Sequence, residues 1–114
     1  MKTHPSFTHN GEKLLVSFGE YVGGALAVEL ICENGEPYTT LSVNVPEHNG
    51  ILNTSGRFFA KTWSENSEVA KSALDSGLFI DKGLGVVCGF ADARLWEFNG
   101  EAIGVESPKT ATNW

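Results

Sequence analysis

The chain has 114 residues, which is near the usual size of one domain and long enough to bury a core without disulfide staples. Apolar residues make up 41% and charged residues 19%, which excludes a disordered tail, and the longest apolar runs are too short to cross a bilayer. The net charge of −6, from 14 acidic and 8 basic residues, argues against a nucleic-acid-binding surface. A basic partner is compatible with this charge, but so is ordinary solubility.

The first residues contain no apolar stretch of signal-peptide length and no lipidation motif, so we expect a cytoplasmic protein. Cys32 and Cys88 lie far apart in two apolar runs, and neither has a cysteine or histidine beside it at zinc-ligand spacing. They are interpreted as reduced, buried thiols. A catalytic or bridging role is the alternative.

The order of polar and apolar residues predicts three regions. Residues 1–12 are polar and contain Asn10-Gly11, which predicts a flexible N-terminal arm. Residues 13–100 are predicted to form a single domain, beginning with an alternating strand that carries Leu14, Val16 and Phe18. Residues 101–114 are predicted to be a C-terminal tail.

A hairpin is predicted at Asn34-Gly35, because a type I′ turn needs positive φ at both central positions. The turn would join strands over residues 25–33 and 36–45. In a two-residue loop the paired residues would be Val28 with Leu41 and Leu26 with Val43, all four on one buried face.

One feature of this hairpin conflicts with so tight a turn. The same register places Glu33 opposite Glu36, a like-charge pair that favours a looser loop. Pro37 cannot donate a ladder hydrogen bond, so it belongs at the first position of its strand.

The second half of the domain predicts a loop, a short strand, a helix and a final strand. Residues 47–56 are rich in turn formers, and Phe58-Phe59-Ala60 suggests a strand. A helix capped by Ser64 or Asn66 ends at Gly77 and has one narrow apolar face. The members of that face are Val69, Ala70, Ala73 and Leu74. The final strand would carry Val86, Cys88 and Phe90 on one face, and after a phase shift Trp96 and Phe98 on another.

These elements predict an α+β fold. The expected architecture is a small, mainly antiparallel sheet that begins as a β-hairpin or meander. One short helix then packs on one face, and a final strand or hairpin completes the sheet.

Three short motifs in this chain carry a family resemblance: Pro37-Tyr38-x-Thr40-Leu41-x-Val43-Asn44, Gly77-Leu78, and Gly89-Phe90 followed by Leu95-x-x-Phe98. In this order they resemble a family of short bacterial proteins carried on plasmids, integrative elements and phages and classified as a domain of unknown function. The resemblance covers roughly residues 19–98. The loop over residues 47–56 and the segment after Asn99 depart from it. The resemblance implies a mobile genetic element as the source, and it supplies no catalytic residue.

The residues that carry common chemistries do not group in the sequence. His4, His9 and His48 are the only histidines, and the first two fall in the predicted arm, so no catalytic triad can be placed. No glycine cluster opens a helix in phosphate-loop fashion. The sequence therefore predicts neither a metalloenzyme nor a covalent hydrolase, and no cofactor.

Exclusion and the resemblance together predict a non-enzymatic protein-binding module of a mobile element. Its partner would be a host or element-encoded protein, and a nucleic-acid-binding protein is one candidate. An inhibitor of a host defence system, of the anti-CRISPR or anti-restriction type, is the specific form of this hypothesis. Ile31 and Tyr38 are expected together on the sheet face opposite the core. The full set of candidate contact residues is Glu29, Ile31, Glu33, Glu36, Tyr38 and Glu47.

Two alternatives remain open at this stage. The first is a small-molecule-binding domain or weak enzyme, with a pocket between helix and sheet lined by Trp63, Trp96 and Cys88. The second concerns the aromatic residues Phe58, Phe59, Trp63 and Trp96. These either form an exposed patch that marks a partner site, or lie beneath residues 46–57 and the C-terminal tail.

Overall fold

A computed structural model describes residues 5–52 and 56–99 of the chain. Within these residues, eight β-strands and one α-helix form two four-stranded antiparallel sheets. The predicted α+β class, with mainly antiparallel strands and one short helix, is confirmed. The strands divide between two sheets, however, where the sequence predicted one.

The first sheet is a meander that begins earlier than expected. It contains β1 (Ser6–His9), β2 (Glu12–Glu20), β3 (Leu26–Cys32) and β4 (Pro37–Thr40) in that spatial order. Asn10 and Gly11 have φ angles of +52° and +79°, as a type I′ turn requires, and they fold β1 back onto β2. The predicted flexible arm is wrong for residues 6–12, because Phe7 and His9 are buried in the fold. Residues 1–4 lie outside the described residues, as does the predicted tail over 101–114.

The β3–β4 turn is longer than the predicted two-residue turn. The Gly35 N–H donates to the Cys32 carbonyl at 2.9 Å, and the Cys32 N–H donates to the Glu36 carbonyl at 2.8 Å. Glu33, Asn34 and Gly35 therefore form a three-residue loop with Gly35 at φ = +94°, a common hairpin alternative. Glu33 and Glu36 are no longer a cross-strand pair, which relieves the like-charge contact.

A β-bulge restores the predicted register beyond this loop. Ile31 pairs with Pro37, whereas Leu30 pairs with Thr39, so Tyr38 is the extra residue. From Leu30 onward the paired residue numbers sum to 69, as predicted. The bulge compensates for the one residue that the longer loop added.

Leu41 is the point where the chain passes from the first sheet to the second. Its N–H donates to the Val28 carbonyl at 2.9 Å, and its carbonyl accepts from the Lys61 N–H at 2.7 Å. The predicted pairing of Val28 with Leu41 is thus confirmed. The pairing of Leu26 with Val43 is wrong, because Val43 belongs to the second sheet, where it pairs with Phe59.

The second sheet contains β5 (Ser42–Val43), β6 (Arg57–Ala60), β8 (Ala91–Phe98) and β7 (Phe79–Cys88) in that spatial order. A 3₁₀ segment over Pro46–Leu52 follows β5. A 3₁₀ turn over Ser64–Asn66 leads into α1 (Ser67–Asp75). β7 and β8 form the longest hairpin of the described chain.

The helix closes the space between the two sheets. Val69, Ala70 and Ala73 are buried, as the predicted apolar face requires, and Gly77 ends the helix at φ = +83°. The helix packs against β1 and β7, which are outer strands of the first and second sheets respectively. None of the helices in the described ranges is long and apolar enough to cross a membrane.

Two apolar clusters hold the fold together. The main core lies between the sheets and beneath the helix, and includes Val28, Leu41, Phe58, Trp96 and Phe98. The second cluster lies on the other face of the second sheet, where the 3₁₀ segment covers it. Its buried members are Ala25, Val45, Leu52, Phe59, Ala93 and Leu95.

Candidate partner-binding site

An acidic surface forms where two turns of the first sheet lie side by side. In an antiparallel meander the β1–β2 and β3–β4 turns fall at the same end of the sheet. Glu12 begins β2 beside the first turn, and Glu33 and Glu36 belong to the second turn. All three side chains are exposed, and none forms an ion pair within residues 5–52 and 56–99. We call Glu12, Glu33 and Glu36 the acidic end.

The loop between β3 and β4 holds one of these carboxylates in place. The Glu36 N–H donates to Asn34 Oδ1 at 3.0 Å, and Asn34 Nδ2 donates to Glu36 Oε1 at 2.8 Å. The amide orients the Glu36 carboxylate without neutralising its charge. The acidic end therefore presents negative charge on an ordered turn.

The Cys32 thiol lies among these carboxylates and responds to them. Its pKa is raised above the ordinary value, first by a side-chain hydrogen bond with Glu12, then by burial and by the negative charges of Glu12 and Glu36. A raised pKa keeps the thiol protonated at neutral pH and makes it a poor nucleophile.

Two other predicted contact residues of the first sheet, Glu29 and Ile31, lie on the outer face of β3. Glu29 is exposed on the outer face of β3, where its strand partners are Ser17 and Thr40. Ile31 is half-buried on the same outer face, opposite Leu15. Glu29 and Ile31 are therefore neighbours on the outer face of one strand.

Tyr38 points away from this outer face, contrary to prediction. Its ring meets the ring of His9 edge to face, with centroids 6.2 Å apart. His9 faces the helix, since its Nδ1 lies 2.7 Å from Ser72 Oγ. The bulge at Tyr38 is the physical reason, because an extra residue shifts the alternation of side chains between the two faces. The predicted grouping of Tyr38 with Ile31 is wrong.

Glu47 stands apart from the acidic end. It is exposed in the 3₁₀ segment over Pro46–Leu52, whose Leu52 packs against the outer face of the second sheet. The acidic end belongs to the first sheet. The sequence could not reveal this separation, because it depends on the passage between sheets at Leu41.

The β7–β8 hairpin has exposed apolar side chains that were not predicted from the sequence. Phe90 was predicted to lie in the final strand on one face with Val86 and Cys88, yet its side chain is fully exposed at the hairpin turn. Gly89 has φ = +63° and Phe90 does not have positive φ, a pattern typical of a type II′ turn. Cys88 pairs with Ala91 across this turn, and Val87 nearby is 69% exposed. A glycine at the first of two residues between apolar runs was the signal that could have revealed the turn.

An ion pair stiffens the middle of the same hairpin. Arg94 donates to both carboxylate oxygens of Asp81, from Nε at 3.2 Å and from Nη2 at 3.1 Å, and the Gly83 N–H donates to Asp81 Oδ1 at 2.8 Å. Gly85 leaves room for this arrangement, because a Cβ there would lie 3.2 Å from Arg94 Nη1. The residues between Asp81 and Gly85 form an irregularity in the strand.

The environment of Asp81 favours its charged form. Burial opposes ionisation, but the hydrogen bond and charge of Arg94 and the Gly83 N–H outweigh it, so the pKa of Asp81 is held below its ordinary value. The indole N–H of Trp96 finds no acceptor at full hydrogen-bonding geometry. Its polarity still contributes to lowering the pKa of Asp81, its cross-strand neighbour.

The predicted pocket between helix and sheet is wrong, because its lining residues lie on opposite faces of the second sheet. Trp96 is fully buried in the main core, in contact with Phe58 and Phe79. Trp63 and Cys88 pack against the second cluster on the other face. The aromatic residues Phe58, Phe59, Trp63 and Trp96 do not form one exposed patch. Phe58 and Phe59 are buried, and Phe59 shares the second cluster with Leu52 of the 3₁₀ segment.

The described ranges hold no group of three or more His, Cys, Asp and Glu side chains placed to bind a metal ion. His9 is buried, with its Nε2 3.3 Å from Asn10 Nδ2, so both of its ring nitrogens have partners. His48 is exposed in the 3₁₀ segment. In comparisons with protein-family models, curated proteins and solved structures, no match to the chain was found.

Proposed function

We propose that the protein is a non-enzymatic, cytoplasmic protein-binding module of a bacterial mobile element. Its partner is a host or element-encoded protein with a basic surface. The specific form of the proposal is an inhibitor of a defence nuclease of the CRISPR or restriction type. The motif resemblance to mobile-element proteins supplies the biological setting, and the acidic end supplies the contact.

The observation that carries the proposal is the concentration of unpaired negative charge on an ordered turn. Glu12, Glu33 and Glu36 project from adjacent turns of one sheet, and a hydrogen bond with Glu12, burial and the charges of Glu12 and Glu36 raise the pKa of the neighbouring Cys32 thiol. Clefts in nucleic-acid enzymes carry positive charge to hold phosphates. A rigid acidic projection is complementary to such a cleft, and it competes with the nucleic acid for it.

The placement of Glu29 extends this surface along β3. Because it alternates with the buried Val28 and Leu30, its carboxylate faces solvent on the outer side of the first sheet. Glu29 is therefore the next residue that a partner docked on the acidic end would contact. Glu47 and Tyr38 do not belong to this surface.

The test measures DNA cleavage by purified CRISPR and restriction nucleases with and without the protein. The test variant changes Glu12, Glu33 and Glu36 to lysine. The control variant also introduces three lysines, in place of Glu20, Glu47 and Asp75, which are exposed acids elsewhere on the fold. Both variants therefore alter the net charge equally. We expect inhibition of at least one nuclease by the wild type and by the control, and loss of inhibition by the test variant.

The binding step is measured separately by titration against the inhibited nuclease at several salt concentrations. Affinity that falls as salt rises is expected for contacts between exposed charges. Failure to bind or inhibit any nuclease in the panel would contradict the defence-inhibitor proposal. Equal inhibition by the test and control variants would show that the acidic end is not the contact.

A further inference from the structure

The β7–β8 hairpin carries most of the exposed large apolar side chains of the described chain. Of six large apolar side chains that are exposed within residues 5–52 and 56–99, four lie between residues 80 and 90. Phe90 is fully exposed and Val87 is 69% exposed, whereas Ile80 and Leu84 are exposed by 40% and 46%. Ile80 and Val87 lie on opposite faces of the second sheet, so the candidate interaction surface is the turn end of the hairpin, with Val87 and Phe90.

The same hairpin presents an unpaired strand edge. β7 is the last strand of the second sheet, and its side away from β8 pairs with no other strand in the described ranges. An open edge is a template for pairing with another strand. The irregularity between Asp81 and Gly85 divides the edge into two regular parts, Phe79–Asp81 and Gly85–Cys88, and the second lies beside the turn. The edge is therefore long enough for a short ladder and too short for an extended one.

The charges of the hairpin are balanced, although the chain as a whole is strongly acidic. Residues 80–94 contain two acidic side chains, Asp81 and Asp92, and two basic ones, Lys82 and Arg94, so their formal charges cancel. The whole chain has a formal charge of −6. Two copies that meet through this hairpin therefore bring no excess of like charge together.

We propose that the β7–β8 hairpin binds a second copy of this chain and forms a symmetric dimer. In a two-fold dimer the same patch is used on both sides, so a patch with balanced charge can face its own copy without net repulsion. The Gly85–Cys88 edge pairs with its counterpart, and Phe90 and Val87 of each copy bury their exposed surfaces against the other hairpin. The partners of this contact differ from those of the acidic end, and the inference does not depend on the proposed function.

The geometry also explains why association stops at two copies. Pairing of one edge with its own counterpart consumes that edge in both subunits, so the contact closes.

Sedimentation equilibrium of the purified full chain from about 10 μM to about 1 mM tests the dimer, a range that covers micromolar and weaker dissociation constants. The wild-type mass is expected to rise from 12.3 kDa towards twice that value. Phe90→Ser and Val87→Lys are expected to stay monomeric at every concentration. The matched control is Val22→Ser, which removes a side chain that is 97% exposed on the β2–β3 turn, and it is expected to behave as the wild type.

Circular dichroism and thermal unfolding of all four proteins establish that the variants remain folded, which is expected because Phe90, Val87 and Val22 are exposed. A wild type that remains at 12.3 kDa at about 1 mM would overturn the proposal. Dimers of undiminished stability in both hairpin variants, or equal weakening by Val22→Ser, would also overturn it. If the wild type is monomeric and Phe90→Ser abolishes nuclease inhibition, the hairpin binds a different protein.

Discussion

The two sheets bury their faces differently. In the first sheet, β2 and β3 alternate buried and accessible residues, because one face packs on the main core and the other faces outward. In the second sheet, β6 carries Phe58, Phe59 and Ala60 consecutively, and all three are buried. Both faces of this sheet are covered at its centre, one by the first sheet and helix and the other by the 3₁₀ segment. Alternation marks a sheet with one open face, and a continuous apolar run marks a sheet covered on both.

The outer faces of the two sheets offer the strongest test of this difference. Phe59→Ala removes a buried ring from the outer face of the second sheet, and it is expected to lower the free energy of unfolding by about 3–5 kcal/mol. Ile31→Ala removes a half-buried side chain from the outer face of the first sheet, with an expected loss of about 1 kcal/mol or less. Urea unfolding of both variants measures the two losses. Equal losses would mean that the outer face of the first sheet is covered too.

The seam between the sheets depends on one buried amide. Asn66 Oδ1 accepts from Thr39 Oγ1 at 2.7 Å, and its Nδ2 donates to the carbonyls of Thr40 and Lys61 at 2.8 and 3.1 Å. Asn66→Leu leaves these three groups without their partner and is expected to cost about 2–4 kcal/mol.

Asn34→Ala is the matched control for the buried amide. Asn34 also makes two side-chain hydrogen bonds, but it is exposed on a turn, where water can replace them. Its expected cost is about 1 kcal/mol or less. Denaturant unfolding compares the two, and a cost for Asn66→Leu no larger than that of Asn34→Ala would show that the seam does not depend on this side chain.

In the β7–β8 hairpin the Asp81 carboxylate forms an ion pair with Arg94. The carboxylates of the acidic end form no ion pair within the described residues. The pKa of Asp81 is lower in the folded protein than in the unfolded chain. Its contribution to the free energy of unfolding is therefore fully present at pH values above the unfolded pKa of about 3.9. That contribution is lost as the pH falls through the folded pKa. Because both partners are about one-third exposed, Asp81→Asn is expected to cost about 0.5 kcal/mol at neutral pH. Unfolding measured from neutral pH to strong acid should show the difference between variant and wild type vanishing in acid.

Removing charge from the acidic end should change the reactivity of the neighbouring Cys32 thiol with little change in the free energy of unfolding. In a Cys88→Ser background, Glu12→Gln and Glu36→Gln remove the groups that raise the pKa of Cys32. The reaction of Cys32 with a disulfide reagent at fixed pH is therefore expected to become faster, with the larger effect from Glu12→Gln, which also alters the hydrogen bond. Glu29→Gln is the control on the same strand. An unchanged rate in the two test variants would contradict the clustering of charge at this end.

Local chemistry determined much of this fold. Alternating apolar residues predicted β2 and β3, the apolar face of α1 was read correctly, and Gly77 ends the helix as expected. The register of Val28 with Leu41 followed from the shared phase of two alternations. Each of these features depends on residues that are close in sequence or on one strand pair, so the pattern alone contains the information.

The two Asn-Gly turns show where such rules fail. Asn10-Gly11 forms the tight turn that the sequence analysis assigned to Asn34-Gly35, and the latter forms a longer loop. The longer loop at Asn34-Gly35 is explained by a flanking pair of like charges, because three loop residues move Glu33 out of register with Glu36. Burial of Phe7 in the main core supports the tight turn at Asn10-Gly11, because the core supplies the surface against which β1 packs.

The tertiary structure alone decided the division into two sheets and therefore the surfaces. Nothing local at Leu41 reveals that its two backbone groups bond to different sheets, because the partners, Val28 and Lys61, are distant in sequence. That passage separates Glu47 from the acidic end and puts Trp63 and Trp96 on opposite faces of one sheet. The bulge at Tyr38 and the exposure of Phe90 follow from pairing and turn geometry in the same way. Sequence patterns determine which residues prefer burial, whereas the pairing of distant strands determines which surface each remaining side chain joins.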